Sequence, residues 1–172
     1  FLISAALEAG IRAVVDNADS VARGARLYTG PIPLTQSTHV RAGALSGATW
    51  SALNDVTFAV GPVAESLRVS EIMYHPADTG HPDDPNTEYV ELTNIGTEAV
   101  NLNLVRFTKG IDFVFPHAEL APADYILVVK DVLAFEATYG AGLPIAGEYR
   151  GSLSNAGERL ELQDAAGQTI HR

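Results

Sequence analysis

Glu88-Tyr89-Val90-Glu91-Leu92-Thr93-Asn94 is the stretch that decides the fold. Val90 and Leu92 fall on one side and Tyr89, Glu91 and Thr93 on the other, the period of a strand that lays one face on a core. Asn94-Ile95-Gly96 ends it with turn residues. Upstream, Leu67-Arg68-Val69-Ser70-Glu71-Ile72-Met73-Tyr74 is strand-like and stops at His75-Pro76. Downstream, short strands are expected over residues 100–102, 105–108, 112–115 and 125–129. Leu160 and Leu162 then alternate around Glu161, and Asp164-Ala165-Ala166-Gly167 makes a hairpin turn before residues 168–171. One helix interrupts the series: Asp131 caps it, Phe135 and Tyr139 stand four apart, and Gly140 closes it. Many short strands at regular turn spacing predict a mainly β chain built on a sandwich.

The charge is divided as the pattern is. The chain of 172 residues carries 11 Lys+Arg and 21 Asp+Glu, a formal net charge of −10. Residues 1–68 hold five bases and five acids, so the whole excess lies in 69–172, with six bases and sixteen acids. Between Arg68 and Arg106 there are seven acids and no Lys or Arg. This shift, with Gly61-Pro62 beside it, divides the chain near residues 61–67.

Several classes of function drop out. A hydrophobic fraction of 47% argues against disorder, and the absence of cysteine removes disulfides, cysteine-ligated metal and thiol catalysis. The acidic balance opposes nucleic acid as a partner, since phosphate binding needs a basic footprint. No apolar run is long enough for membrane insertion, and the opening Phe1-Leu2-Ile3 lacks the basic flank of a signal peptide. Beginning at Phe1 rather than Met, the chain reads as a fragment or a processed product. Phosphate-loop, zincin, nucleophile-elbow and dinucleotide motifs are absent, and no catalytic residue is assigned.

Residues 1–25 read as a helical segment on the stripe Ile3, Leu7, Ile11, Val14, Val15, Ala18 and Val21. Residues 26–62 read as a partial β module. There, Tyr28-Thr29-Gly30-Pro31-Ile32, Ser37-Thr38-His39-Val40-Arg41-Ala42 and Trp50-Ser51 with Phe58 resemble the last strands of the chitobiase C-terminal-type module over residues 26–60. That module is an Ig-like sandwich of secreted bacterial proteins.

A fuller resemblance covers residues 67–172. Val69-Ser70-Glu71-Ile72-Met73-Tyr74-His75-Pro76, Glu88-Tyr89-Val90-Glu91-Leu92-Thr93-Asn94 and Val100-Asn101-Leu102 come first. Phe115-Pro116, Leu120-Ala121-Pro122, Tyr125-Ile126-Leu127-Val128-Val129, Leu153-Ser154-Asn155-Ala156-Gly157-Glu158 and Asp164-Ala165-Ala166-Gly167 follow in order. The ordered set is similar to the bacterial form of the lamin-tail domain. The resemblance implies an Ig-like β-sandwich in an extracellular or cell-surface protein. It also implies a non-catalytic role in adhesion, spacing or protein–protein contact, and it brings no catalytic residues.

Three expectations concern sites. Asp78, Asp83, Asp84 and Glu88 lie on or beside the loop 75–87, which reads as a solvated acidic loop or as a Ca²⁺ site supplied by carboxylates. The same loop holds His75 and His81, which would suit a transition metal instead. Trp50, with Tyr28, Tyr74 and Tyr89, reads as core or edge packing, or as a surface that stacks carbohydrate in an accessory module of a secreted hydrolase. Finally, Glu71 and Glu91 would form a carboxylate pair if their strands were neighbours, and otherwise face solvent.

Overall fold

The computed structural model describes residues 11–15, 26–46, 49–61, 63–77, 80 and 84–172. The chain is mainly β and divides into two compact units, Phe1–Val60 and Gly61–Arg172.

In the first unit, β1 (Ile11–Val15), β2 (Arg26–Leu27), β3 (Thr38–Ser46), β4 (Thr49–Trp50) and β5 (Asn54–Phe58) form one antiparallel sheet around β3. Here the helical reading of residues 1–25 is corrected at Ile11–Val15. Ile11 to Val15 pair with Ala44 to Val40 as a strand, and Arg12 and Ala13 also pair with β2. Ile11, Val14 and Val15 fit the helical spacing while Ile11, Ala13 and Val15 fit the period of a strand, and three of these five residues are β-branched, which favours the pleated form once a partner strand exists. The rest of the helical stripe lies outside the described residues.

The second unit is a sandwich. It opens with α1 (Val63–Ser66) and β6 (Leu67–Met73), followed by a 3-10 turn at Asp84–Thr87 and β7 (Tyr89–Asn94). Next come β8 (Val100–Asn101), β9 (Arg106–Lys109), β10 (Ile111–Val114), β11 (Glu119–Leu120) and β12 (Tyr125–Val129). After α2 (Val132–Tyr139) the chain adds β13 (Ile145–Glu148), β14 (Arg150–Gly151), β15 (Glu161–Gln163) and β16 (Thr169–His171). One sheet has the order β13-β12-β7-β6, the other β14-β10-β9-β15-β16, and β8 pairs with β11 at the side.

Val90, Leu92 and Val128 from the first sheet meet Phe107, Ile111 and Leu162 from the second in one buried cluster, with Leu102, Val105 and Phe115 filling it. These are the inward positions that the alternation in residues 88–94 assigns. The outward face of the same sheet is only partly wet. Strands β12 and β13 are parallel, so the chain must cross over between them, and α2 makes that crossover. Its Phe135 covers Tyr89, Leu127 and Val129 in a second apolar cluster. Asp131 caps α2 by accepting from the Ala134 amide at 2.9 Å.

A buried asparagine closes the end of β7. Asn94 is fully enclosed; its Nδ2 donates to the carbonyls of Glu98 at 2.8 Å and Leu120 at 2.9 Å. Its Oδ1 accepts from the Gly96 amide at 2.9 Å. One side chain thereby satisfies three backbone groups where the sheet turns over, which is why a polar residue is tolerated at 0% exposure.

Candidate functional site

The acidic loop divides between two environments. Asp78 and Asp83 lie outside the described residues, and Asp84 begins the 3-10 turn. Glu88 is buried, and its Oε2 accepts from the Tyr149 hydroxyl at 2.7 Å and from the Leu153 amide at 3.0 Å. Its own carbonyl takes the Lys130 amide at 3.0 Å. Lys130 also reaches the segment that Glu88 holds: its Nζ donates to the Gly151 carbonyl and to Ser152 Oγ, and it lies 5.6 Å from the centre of the Tyr149 ring. Glu88 therefore organises residues 149–153. Among the described residues, no group of three His, Cys, Asp or Glu converges as a metal site.

Glu71 and Glu91 do stand on neighbouring strands, directly opposite each other in the β6–β7 register. Each takes a hydroxyl donor: Tyr89 donates to Glu71 at 2.6 Å, and Ser70 donates to Glu91 Oε1 at 2.7 Å. Glu71 is exposed and Glu91 half-buried, and each serves as a hydrogen-bond acceptor for a neighbouring side chain. Tyr89 is pushed well above the ordinary tyrosine range, first by burial and then by its bond to Glu71. It packs edge-on against Phe135 and Tyr139, with ring centres 5.4 and 5.5 Å away. That packing makes Tyr89 a core residue rather than a stacking surface.

A bulge in β6 shapes the neighbouring feature. The register runs Val69 to Leu92, then Glu71 to Glu91 and Ile72 to Val90, so Ser70 is the extra residue. Val69 and Ile72 consequently stand opposite the two core positions of β7. Val69 packs on the core, but Ile72 sits where the sandwich opens and is 36% exposed. Ile72 and Tyr74 form one wall of an open cleft of about 450 Å³, and residues 153–158 with Leu160 form the other. The opposing loop is held tightly: Ser154 N donates to Glu158 Oε1 at 2.6 Å, and Gly157 N donates to the Ser154 carbonyl at 3.1 Å. The sequence singles out Tyr74 among the aromatics but not the cleft, whose walls are about eighty positions apart.

Trp50 lies in the first unit, on β4, and is 46% exposed. Its ring stands over Gly43, where an added Cβ would approach to 3.3 Å, so part of its apolar face is already used. Nearby, His39 and Arg41 both engage Asp55 and hold its carboxyl below the usual range, the His39 hydrogen bond most of all. Glu161 in the second unit is lowered likewise, first by the Thr108 hydroxyl at 2.7 Å and then by Arg159. These carboxylates carry structural hydrogen bonds.

Two facing sheets, a core between them and a side helix covering one outer face define an Ig-like β-sandwich. Residues 62–172 match the family model described as Lamin Tail Domain, and the chain belongs to that family. The family is Ig-like and non-enzymatic. No curated protein and no solved structure matches the chain.

Proposed function

We propose that this chain is a non-catalytic binding module of a bacterial exported or surface protein, working through protein–protein contact. Family membership carries the reading, and the use of the buried carboxylates of Glu88 and Glu161 as acceptors for structural donors agrees with it. Contact rather than insertion is proposed for its association with a cell surface. The chitobiase-type reading of residues 26–60 belongs to the same proposal, as a neighbouring module of an exported chain. The excess of acids in residues 69–172 favours basic protein surfaces as partners.

The test uses the labelled full chain and bacterial cells in flow cytometry. Saturable binding that is lost when surface proteins are digested supports the proposal. Binding that survives digestion and is competed by soluble glycans would instead favour the carbohydrate-binding alternative and overturn the protein-contact reading.

A further inference from the structure

The cleft at the mouth of the sandwich has a chemistry that points to one kind of side chain. Its floor is apolar: Ile72 from β6, and Leu153 and Leu160 from the opposite wall. Its rim offers the ring of Tyr74, which is 48% exposed, the side chain of Asn155 and the carboxylate of Glu158. The Tyr74 ring lies 6.4 Å from that of His75, tilted at 33°, and about half of the residue remains accessible. Glu158 is the one ionisable acid or base in the lining apart from the tyrosine, and among the described residues the Ser154 amide is the donor to it, at Oε1. Among the described residues no Lys or Arg pairs with it, and the adjacent Arg159 is already engaged by Glu161. On the β6 side, the chain from 69 to 105 has no Lys or Arg to neutralise this rim.

An apolar floor, an open aromatic face and an unneutralised carboxylate are the three contacts an arginine side chain makes at once. Its methylene stem covers apolar surface, its guanidinium plane stacks on the ring, and its fork donates to the carboxylate. A glutamate or aspartate would meet Glu158 with like charge, and a purely apolar side chain would leave the rim unused. The volume of about 450 Å³ is ample for one such side chain with the backbone on either side of it.

We infer that this cleft receives an arginine side chain presented by an extended segment of a partner protein. The inference deepens the protein-contact reading above and rests on it.

The experiment titrates the isotope-labelled full chain with a short blocked peptide of glycine and serine around one arginine, followed by amide chemical shifts. The expected result is saturable, millimolar binding with shifts concentrated at Tyr74 and residues 154–158. Replacing the arginine by its neutral isostere citrulline, or making Glu158→Gln, weakens binding about tenfold. The glutamine keeps an acceptor for Ser154 N, so the loop stays folded, and unchanged shifts elsewhere confirm this. Equal binding of the citrulline peptide overturns the inference, as do shifts produced by an oligosaccharide and not by the arginine peptide. Cell binding that persists in Glu158→Gln while the peptide is lost also overturns it, yet leaves the protein-contact reading standing.

Discussion

The Tyr149 hydroxyl donates to Glu88 Oε2 at 2.7 Å, joining two buried residues that are 61 positions apart in the chain. The same oxygen takes the Leu153 amide at 3.0 Å, so one carboxylate pins the segment between β13 and the 153–160 loop to the start of β7. With two neutral donors, Glu88 acts as an internal bracket. Removing it leaves both donors buried without an acceptor. Glu88→Ala should cost about 3 kcal/mol, and Tyr149→Phe, which leaves the amide bond in place, about 1–2 kcal/mol. Urea denaturation gives both figures. A loss below about 0.5 kcal/mol for Glu88→Ala would show that the bracket is dispensable.

Asn94 and Gly96 make a second junction where the direction of the hydrogen bonds decides the outcome. Asn94 needs both its amide donors and its carbonyl acceptor. Asn94→Asp is nearly isosteric, but it turns an acceptor toward two carbonyls, so it should destabilise at least as much as Asn94→Ala, about 2–4 kcal/mol. Gly96 is required for space: a Cβ there would lie 2.5 Å from Ser66 Oγ and 2.8 Å from Ser66 Cβ. Gly96→Ala should therefore be strongly destabilising, and Ser66→Gly in the same chain should recover more of the loss than Ser66→Ala. Melting temperatures of the two double variants decide the matter, and equal recovery contradicts the steric account.

Much of the second unit was legible because its signals are local. Alternation in residues 88–94 identifies both faces of β7, residues 125–129 coincide with β12, and Asp131 and Gly140 bound α2. Strand β13 escaped because Ile145-Ala146-Gly147-Glu148 has little β-forming pattern; its order comes from parallel pairing with β12 after a helical crossover. Strand β1 was misread because a short apolar run fits either period, and β3, more than twenty positions on, supplies its ladder. The acids show the same limit. Composition marks Glu88 as one of a loop's carboxylates, but its partners come from residues 149 and 153, so nothing near it in the chain signals that it faces inward. The cleft was invisible for the same reason.

Two tyrosines give a pH signature. Tyr149 and Tyr89 are both raised above their ordinary value of 10.0, by burial first and then by the hydrogen bonds to Glu88 and Glu71 respectively. In each case the fold favours the neutral phenol. Their contribution is therefore present in full below about pH 10, where the unfolded chain's tyrosines titrate, and is lost as the pH rises. Urea midpoints should fall as the pH rises above about 10, and the fall should be shallower in Tyr149→Phe than in the parent. Tyrosinate absorbance from these two residues should rise together with unfolding. Full ionisation within an intact fold would contradict the assignment.

The bulge at Ser70 makes a counterintuitive prediction. Deleting one residue from a strand normally turns every later side chain to the opposite face. In β6 the register is Val69 to Leu92, Glu71 to Glu91, Ile72 to Val90 and Met73 to Tyr89, so without Ser70 the partners run in unbroken sequence. The deletion should heal the ladder and preserve all of these pairings. It removes the Ser70 hydroxyl bond to Glu91 at 2.7 Å, a contact on the exposed side, so its cost should stay within about 1 kcal/mol. Deleting Glu91 from β7, which has no surplus residue, should instead misplace Tyr89 and Val90 and cost several times more. Thermal unfolding of the two deletion variants measures the contrast. If both are equally damaging, Ser70 is needed for something other than the count of residues between Val69 and Ile72.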